Sequence, residues 1–219
     1  MLLPELEYCA LLSYAPRGGS AEIQFSKEVM HRLKNDGFVK DRSNPPIPMS
    51  QWVGRTIQRY RSTLLFDSFF QPDTILVPTP KSSLMREGTL WVPHRLATAL
   101  VQWGLGKEVA QILNRVRPLP KAALSAPENR PLALEHYESL EVQKSLSEPI
   151  DILLIDDIIT RGATLLGSAS RLAEVFPRTQ IRAFAVMRTI TSEDDFEKVY
   201  DPIVGKIFLR PKGDTWRRP

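Results

Sequence analysis

The sequence predicts an α/β protein whose central, mostly parallel sheet is flanked by helices. Three observations carry that prediction. Ile152, Leu153, Leu154 and Ile155 form an unbroken apolar run, the pattern of a strand buried on both faces, and residues 74–77 and 181–187 read the same way. Stripes at helical spacing lie between such runs: Val92, Leu96, Ala99, Leu100 and Trp103, then Leu165, Ala169, Leu172, Ala173 and Phe176. The chain has 219 residues, enough for one α/β domain with an added segment and a sizeable core.

From the start, residues 6–14 read as a strand, turned by Pro16, Arg17, Gly18 and Gly19. Ser20 or Ala21 opens a helix that runs to about Asn35, with Phe25, Val29 and Leu33 on one stripe, and Asp36-Gly37 stops it. A proline-containing loop spans 40–48. Ser50 is the expected cap of a second helix with the stripe Val53, Ile57, Tyr60 and Leu64. These first 72 residues are expected to form a hood or flap packed on a core of residues 73–219. The first strand of that core is 74–77, followed by Lys81, Ser82, Ser83 and Arg86. A helix follows, with His94 near its start, and His94 is given no chemistry. Residues 109–113 suit a helix or a strand.

Residues 115–129 lack periodicity and hold Pro118, Pro120 and Pro127, so they read as a long exposed loop. A short helix over 131–140 leads to the motif strand. After the motif helix come a strand over 181–187, a polar turn over 191–195 and a last strand over 203–209. The end of the chain, with Trp216, Arg217 and Arg218, reads as a short basic tail. Trp216 is expected either to fold back over the site or to mark a partner contact.

The chemistry concentrates where the apolar strand ends. Asp156 and Asp157 follow it, then Ile158 and Ile159, then Thr160, Arg161, Gly162, Ala163 and Thr164, and the helix begins. A loop feeding a helix N-terminus offers unpaired N–H groups and a positive dipole end to an anion. Gly162 lets the backbone approach a ligand, and the Thr160 and Thr164 hydroxyls can donate to it. Ionised carboxylates only accept hydrogen bonds, so the acid pair suits the hydroxyls of a sugar and repels a phosphate. Together they fit a ribose 5-phosphate across the strand end.

This run resembles the phosphoribosyl-pyrophosphate-binding motif of type I phosphoribosyltransferases over thirteen positions, 152–164. The resemblance implies the type I phosphoribosyltransferase fold, with transfer of the phosphoribosyl group from 5-phosphoribosyl 1-pyrophosphate to a nitrogen nucleophile and release of pyrophosphate. It implies that Asp156 and Asp157 hold the ribose, that residues 159–164 (Ile159, Thr160, Arg161, Gly162, Ala163, Thr164) hold the 5-phosphate, and that Lys81, Ser82 and Ser83 hold the pyrophosphate. Mg²⁺ is expected on substrate oxygens, with Asp156 and Asp157 reaching it through substrate or water. The loop before Pro131 would close over the site, delivering Lys121 and Arg130. A homodimer is common for this fold.

A narrower resemblance, over 74–190, is to the competence-protein F family: Val77-Pro78-Thr79-Pro80, then Leu113-Asn114-Arg115-Val116-Arg117 with its loop to Arg130, then the acid pair occur in that family's order. The four-cysteine zinc module that often opens that family is missing, because Cys9 is the only cysteine. Arg161 also stands where many relatives carry a small residue or threonine.

Composition sets outer bounds. One cysteine rules out a disulfide framework and a cysteine-based zinc site within one chain. Glu5 and Glu7 near the start, with no basic run, do not look like a secretory signal, and no apolar run reaches membrane-spanning length. A cytoplasmic protein is expected. The net charge of +4 is modest. Arg55, Arg59 and Arg61, and the basic C-terminus, are the clusters that could meet nucleic acid, a contact not favoured over solvated faces. Two further readings stay open: a ribose-phosphate-binding regulator without catalysis, and a component of a bacterial defence assembly, since the chain looks somewhat like phosphoribosyltransferase-like proteins found beside retron reverse transcriptases.

Overall fold

The computed structural model describes residues 1–41, 44–120, 129–144 and 147–219. Its core is a seven-stranded sheet. In chain order the strands of that sheet are β1 (Glu5–Tyr14), β4 (Ile75–Pro78), β5 (Glu108–Val109), β8 (Asp151–Ile159), β9 (Gln180–Thr189), β10 (Tyr200–Leu209) and β11 (Thr215–Arg218). Two small two-stranded sheets, β2 (Phe38–Asp41) with β3 (Asn44–Pro48) and β6 (Leu113–Arg115) with β7 (Leu140–Val142), lie outside it. The spatial order is β11-β10-β1-β9-β8-β4-β5. All neighbours from β1 to β5 pair in parallel, and β10 pairs antiparallel with both β1 and β11.

Among the described residues, five α-helices cover the two faces: α1 (Ala21–Lys34), α2 (Met49–Tyr60), α3 (Val92–Gln102), α4 (Ala133–Glu138) and α5 (Ala163–Val175). The pleat sorts alternate strand residues to opposite sides. Leu76, Leu153, Ile155, Phe184 and Val186 pack with Leu33, Val53, Ile57, Leu96 and Leu100 of the α1–α3 layer. Val77, Ile152, Leu154, Ala183 and Ala185 pack with Ala133, Leu165, Ala169 and Leu172 of the α4–α5 layer. Burial on both faces is why these strands lack polar alternation. The α4–α5 contact is close: a Cβ on Gly167 would lie 2.5 Å from the Ala133 carbonyl oxygen, so only glycine fits there.

Several expectations change. The strand assigned to a hood is β1, which lies inside the sheet between β9 and β10, so the division at residue 72 does not follow the architecture. Ser50 is not the cap of α2, whose N-cap is Pro48. Asp36, at φ 46°, caps the first turn from outside instead: its Oδ1 accepts the Ser50 N–H at 2.8 Å, and its Oδ2 pairs with Arg95 at 3.2 Å. Ser20 does cap α1, accepting from the Ile23 N–H. The basic tail is strand β11, where Trp216 pairs with Phe208 and lies under the Arg218 guanidinium, 4.3 Å from the ring centroid. Among the described residues, no helix is long and apolar enough to cross a membrane.

Candidate functional site at the strand ends

Parallel strands aim their C-terminal ends the same way, and here β4 and β8 end side by side. Pro78 pairs with Ile155, and the Thr79 N–H continues the ladder to the Ile155 carbonyl at 2.9 Å. The strand β8 does not stop before its acids; it carries Asp156 and Asp157 within its last residues, so sheet pairing fixes their backbone. The Thr79 hydroxyl donates to Asp156 Oδ1 at 2.9 Å, and the Asp157 N–H donates to the same oxygen. Asp157 accepts the Ile158 N–H on Oδ1 and pairs through Oδ2 with Lys34, from the end of α1, at 3.3 Å.

The electrostatics follow from that crowding. Burial, then the neighbouring Asp157 charge, pushes the Asp156 carboxyl well above the ordinary carboxylate range, while Thr79 and Lys34 hold it down. Lys34 is raised overall: burial pulls it down, but the charges of Asp157 and Asp156 outweigh burial.

Beyond the acids, Gly162 at φ 91° ends the loop and serves as the N-cap of α5. A Cβ there would meet three Ile207 side-chain carbons at 2.8 Å, so glycine is required by both conformation and space. The helix has no side-chain cap, and its first intrahelical bond is Leu166 N–H to the Gly162 carbonyl. The N–H groups of Ala163, Thr164 and Leu165 precede that first bond, so they have no acceptor within the helix and could serve as an anion cradle.

The edge hairpin holds this loop from behind. Arg217 donates through Nε to the Thr160 carbonyl at 2.9 Å, to the Thr189 carbonyl and to the Tyr8 hydroxyl at 3.0 Å. Arg161 pairs with Asp214 at 2.9 Å in the β10–β11 turn. The Thr160 and Thr189 hydroxyls lie 3.1 Å apart.

A second brace is buried. Arg115 donates through Nε to the Lys81 carbonyl at 2.5 Å, to the Ser139 hydroxyl, and to His136 Nδ1 at 3.4 Å. Burial pulls Arg115 down to about 10, and burial followed by the Arg115 charge pulls His136 down to about 3. His136 is neutral at pH 7, and because Nδ1 accepts, Nε2 carries the proton and faces the Thr164 hydroxyl at 3.4 Å. One chain of side chains thus runs from the loop after β4 to the first turn of α5.

Of the residues expected at the site, Asp156, Asp157, Thr160, Gly162, Ala163 and Thr164 come together on one strand-loop-helix. Ser82 and Ser83 lie on the loop after β4, and the Lys81 ammonium there is held by the Leu90 carbonyl at 2.8 Å. The Ile159 side chain is 2 % exposed and packed in the α5-side core, so only its backbone could face a ligand. Arg130 is half-buried just ahead of α4. Lys121 lies outside the described residues. Thr79, Lys34, Arg115, His136 and Arg217 were not among the site residues expected from the sequence. Thr79 and Arg115 lie in the runs that carry the narrower resemblance and Arg217 in the basic C-terminal cluster, whereas Lys34 and His136 carried no local signal.

No family model matches the chain, and no curated protein matches it. Among solved structures it is similar to the adenine phosphoribosyltransferase of Trypanosoma brucei, at 13 % identity over 78 % of this chain and 82 % of that one, with a TM-score of 0.34. It is also similar to the adenine phosphoribosyltransferase of Leishmania tarentolae (15 % identity, 83 % and 92 % covered, TM-score 0.32). The third is a hypoxanthine phosphoribosyltransferase from Staphylococcus aureus (15 %, 84 % and 96 %, 0.33). Likenesses this remote assign neither a family nor a chemistry to the chain.

Proposed function

We propose that the chain binds 5-phosphoribosyl 1-pyrophosphate at the ends of β4 and β8 and transfers its phosphoribosyl group to a nitrogen nucleophile. The observation that carries this reading is the order of groups on one strand-loop-helix: an acid pair, then an uncapped helix N-terminus. The acids accept from ribose hydroxyls, and the α5 cradle takes the 5-phosphate. Thr79 ties the acid pair to the loop after β4, where Lys81, Ser82 and Ser83 would meet the diphosphate.

In the reaction the C1–O bond to pyrophosphate breaks, the C1–N bond forms, and the bonding electrons leave with the diphosphate. Positioning and charge stabilisation carry such a step. Among the described residues no group of three or more side chains could hold a metal. Two carboxylates with several oxygens already bonded fit Mg²⁺ brought in by substrate oxygens, not a protein cage. Bound there, Mg²⁺ would neutralise diphosphate charge.

A second reading, a ribose-phosphate sensor without catalysis, draws on Lys81, whose ammonium is occupied by the Leu90 carbonyl. A Lys81→Ala change leaves such a sensor unaffected and weakens a transferase. Calorimetric titration with 5-phosphoribosyl 1-pyrophosphate and Mg²⁺ tests the site itself. Binding by the wild type that is lost in an Asp156→Asn/Asp157→Asn double variant supports it. No binding by folded wild type refutes it.

A further inference from the structure

A second concavity lies on the α1–α3 side, between α2 and the start of β10, and shares no lining residue with the acid pair or the cradle. Trp52 and Tyr200 line both of its parts. One part, of about 510 Å³, is mostly apolar, with Leu12, Phe25, Val29, Met49 and Val199 on its walls and Glu22, Arg32 and Lys198 also lining it. The other, of about 430 Å³, is lined by Arg55, Arg59, Tyr60 and Thr63. Each volume suits a small organic ligand.

Most residues of the second part recur on one side of α2 and its continuation, at positions 52, 55, 59, 60 and 63, with the buried Thr56 behind them, while Val53 and Ile57 face the core. Phe25, Tyr60 and Tyr200 are 50 %, 47 % and 41 % exposed around it, an apolar patch left open to water. The arginine-lined part contains no carboxylate among its lining residues, and Arg59 there is exposed. Flat aromatic rings beside an exposed guanidinium and hydroxyl donors match a planar ring joined to an anion better than a purely apolar segment.

We infer that this concavity binds a nucleotide unit, with the base against Trp52 and Tyr200 and the phosphate at Arg59. A free mononucleotide and a single-stranded nucleic acid share that chemistry.

The experiment runs in the Asp156→Asn/Asp157→Asn background, so that the proposed ribose site contributes nothing and its failure leaves this test intact. Calorimetry is done with a nucleoside 5′-monophosphate and with an oligonucleotide of about seven nucleotides lacking terminal phosphates. Binding that weakens roughly tenfold or more with Arg59→Ala and with Trp52→Leu is expected, from the worth of one base stack or one phosphate contact. Arg59 is exposed, so its variant folds even if the Trp52 variant does not. An oligonucleotide that binds much tighter than the monomer, with a steep salt dependence, identifies a strand as the ligand; equal affinities identify the free nucleotide. No binding of either probe at about 1 mM, or binding unchanged by Arg59→Ala, overturns the inference.

Discussion

Replacing Gly162 by alanine probes the feature on which the anion cradle depends. Two costs add. A residue with a Cβ held at φ 91° bears the left-handed penalty, about 1–2 kcal/mol. The same Cβ would sit 2.8 Å from Cδ1, Cγ1 and Cγ2 of Ile207, which is fully buried and has no open space to swing into. Such overpacking costs about 1–3 kcal/mol. The sum, roughly 2–5 kcal/mol, is a large part of a domain's stability. Urea denaturation of Gly162→Ala should therefore show a midpoint far below wild type at unchanged slope. A thermodynamic cycle with Ile207→Ala separates the terms. In the shortened background the glycine substitution should keep only the backbone penalty, so the coupling should be about 1–3 kcal/mol. A single-variant cost under about 1 kcal/mol, or a cycle without coupling, refutes the view that space and conformation jointly reserve this position for glycine.

The raised Asp156 carboxyl makes stability depend on pH. From the ordinary carboxylate range up to its raised value the native state holds a proton that the unfolded state has lost, so stability falls as pH rises through that window. Asp156→Asn should flatten that fall in thermal midpoints measured across it, and a slope equal to wild type would count against the assignment. Lys34→Met removes a charge that holds Asp156 down, so a carboxyl-carbon NMR titration should show Asp156 rising further; an unmoved curve would mean Lys34 does not face the pair. Arg115→Met leaves the Ser139 hydroxyl, His136 Nδ1 and the Lys81 carbonyl without their buried donor. It should cost about 3 kcal/mol in denaturant unfolding, with a loss below about 1 kcal/mol contradicting the brace. Arg217→Ala frees the Thr160 and Thr189 carbonyls, so amide exchange should quicken across 160–162 while the α5 core stays protected; unchanged exchange would show that the edge strand does not hold the loop.

The parts of this molecule that were legible in the sequence are those with a local cause. Ile152 to Ile155 read as a buried strand because helices cover both faces, and the α5 stripe read as a helix because Leu165, Ala169 and Leu172 share one buried side. The order of acids, glycine and threonines was legible for the same reason, since one strand and one helix carry all of it. What failed was long-range. Strand β1 was set aside in a hood because nothing in residues 5–14 says that β9 and β10, whose partner residues lie 175 to 203 positions later, will flank it on both sides. The cap of α2 was given to Ser50, the local candidate, whereas the carboxylate of Asp36, fourteen residues earlier, takes the role. Lys34 reaches Asp157 across 123 positions, Arg217 reaches Thr160 across 57, and Arg161 reaches Asp214 across 53. A charge pattern at such separations has no period to read. The motif names the groups that would touch a ligand, and partners supplied by distant chain set the protonation of its acids and the position of its loop. The proton equilibrium of Asp156 is thus a property of Lys34 and Thr79 as much as of the motif, and titrating it in their variants asks directly how far the surrounding fold, beyond the motif, has prepared the site.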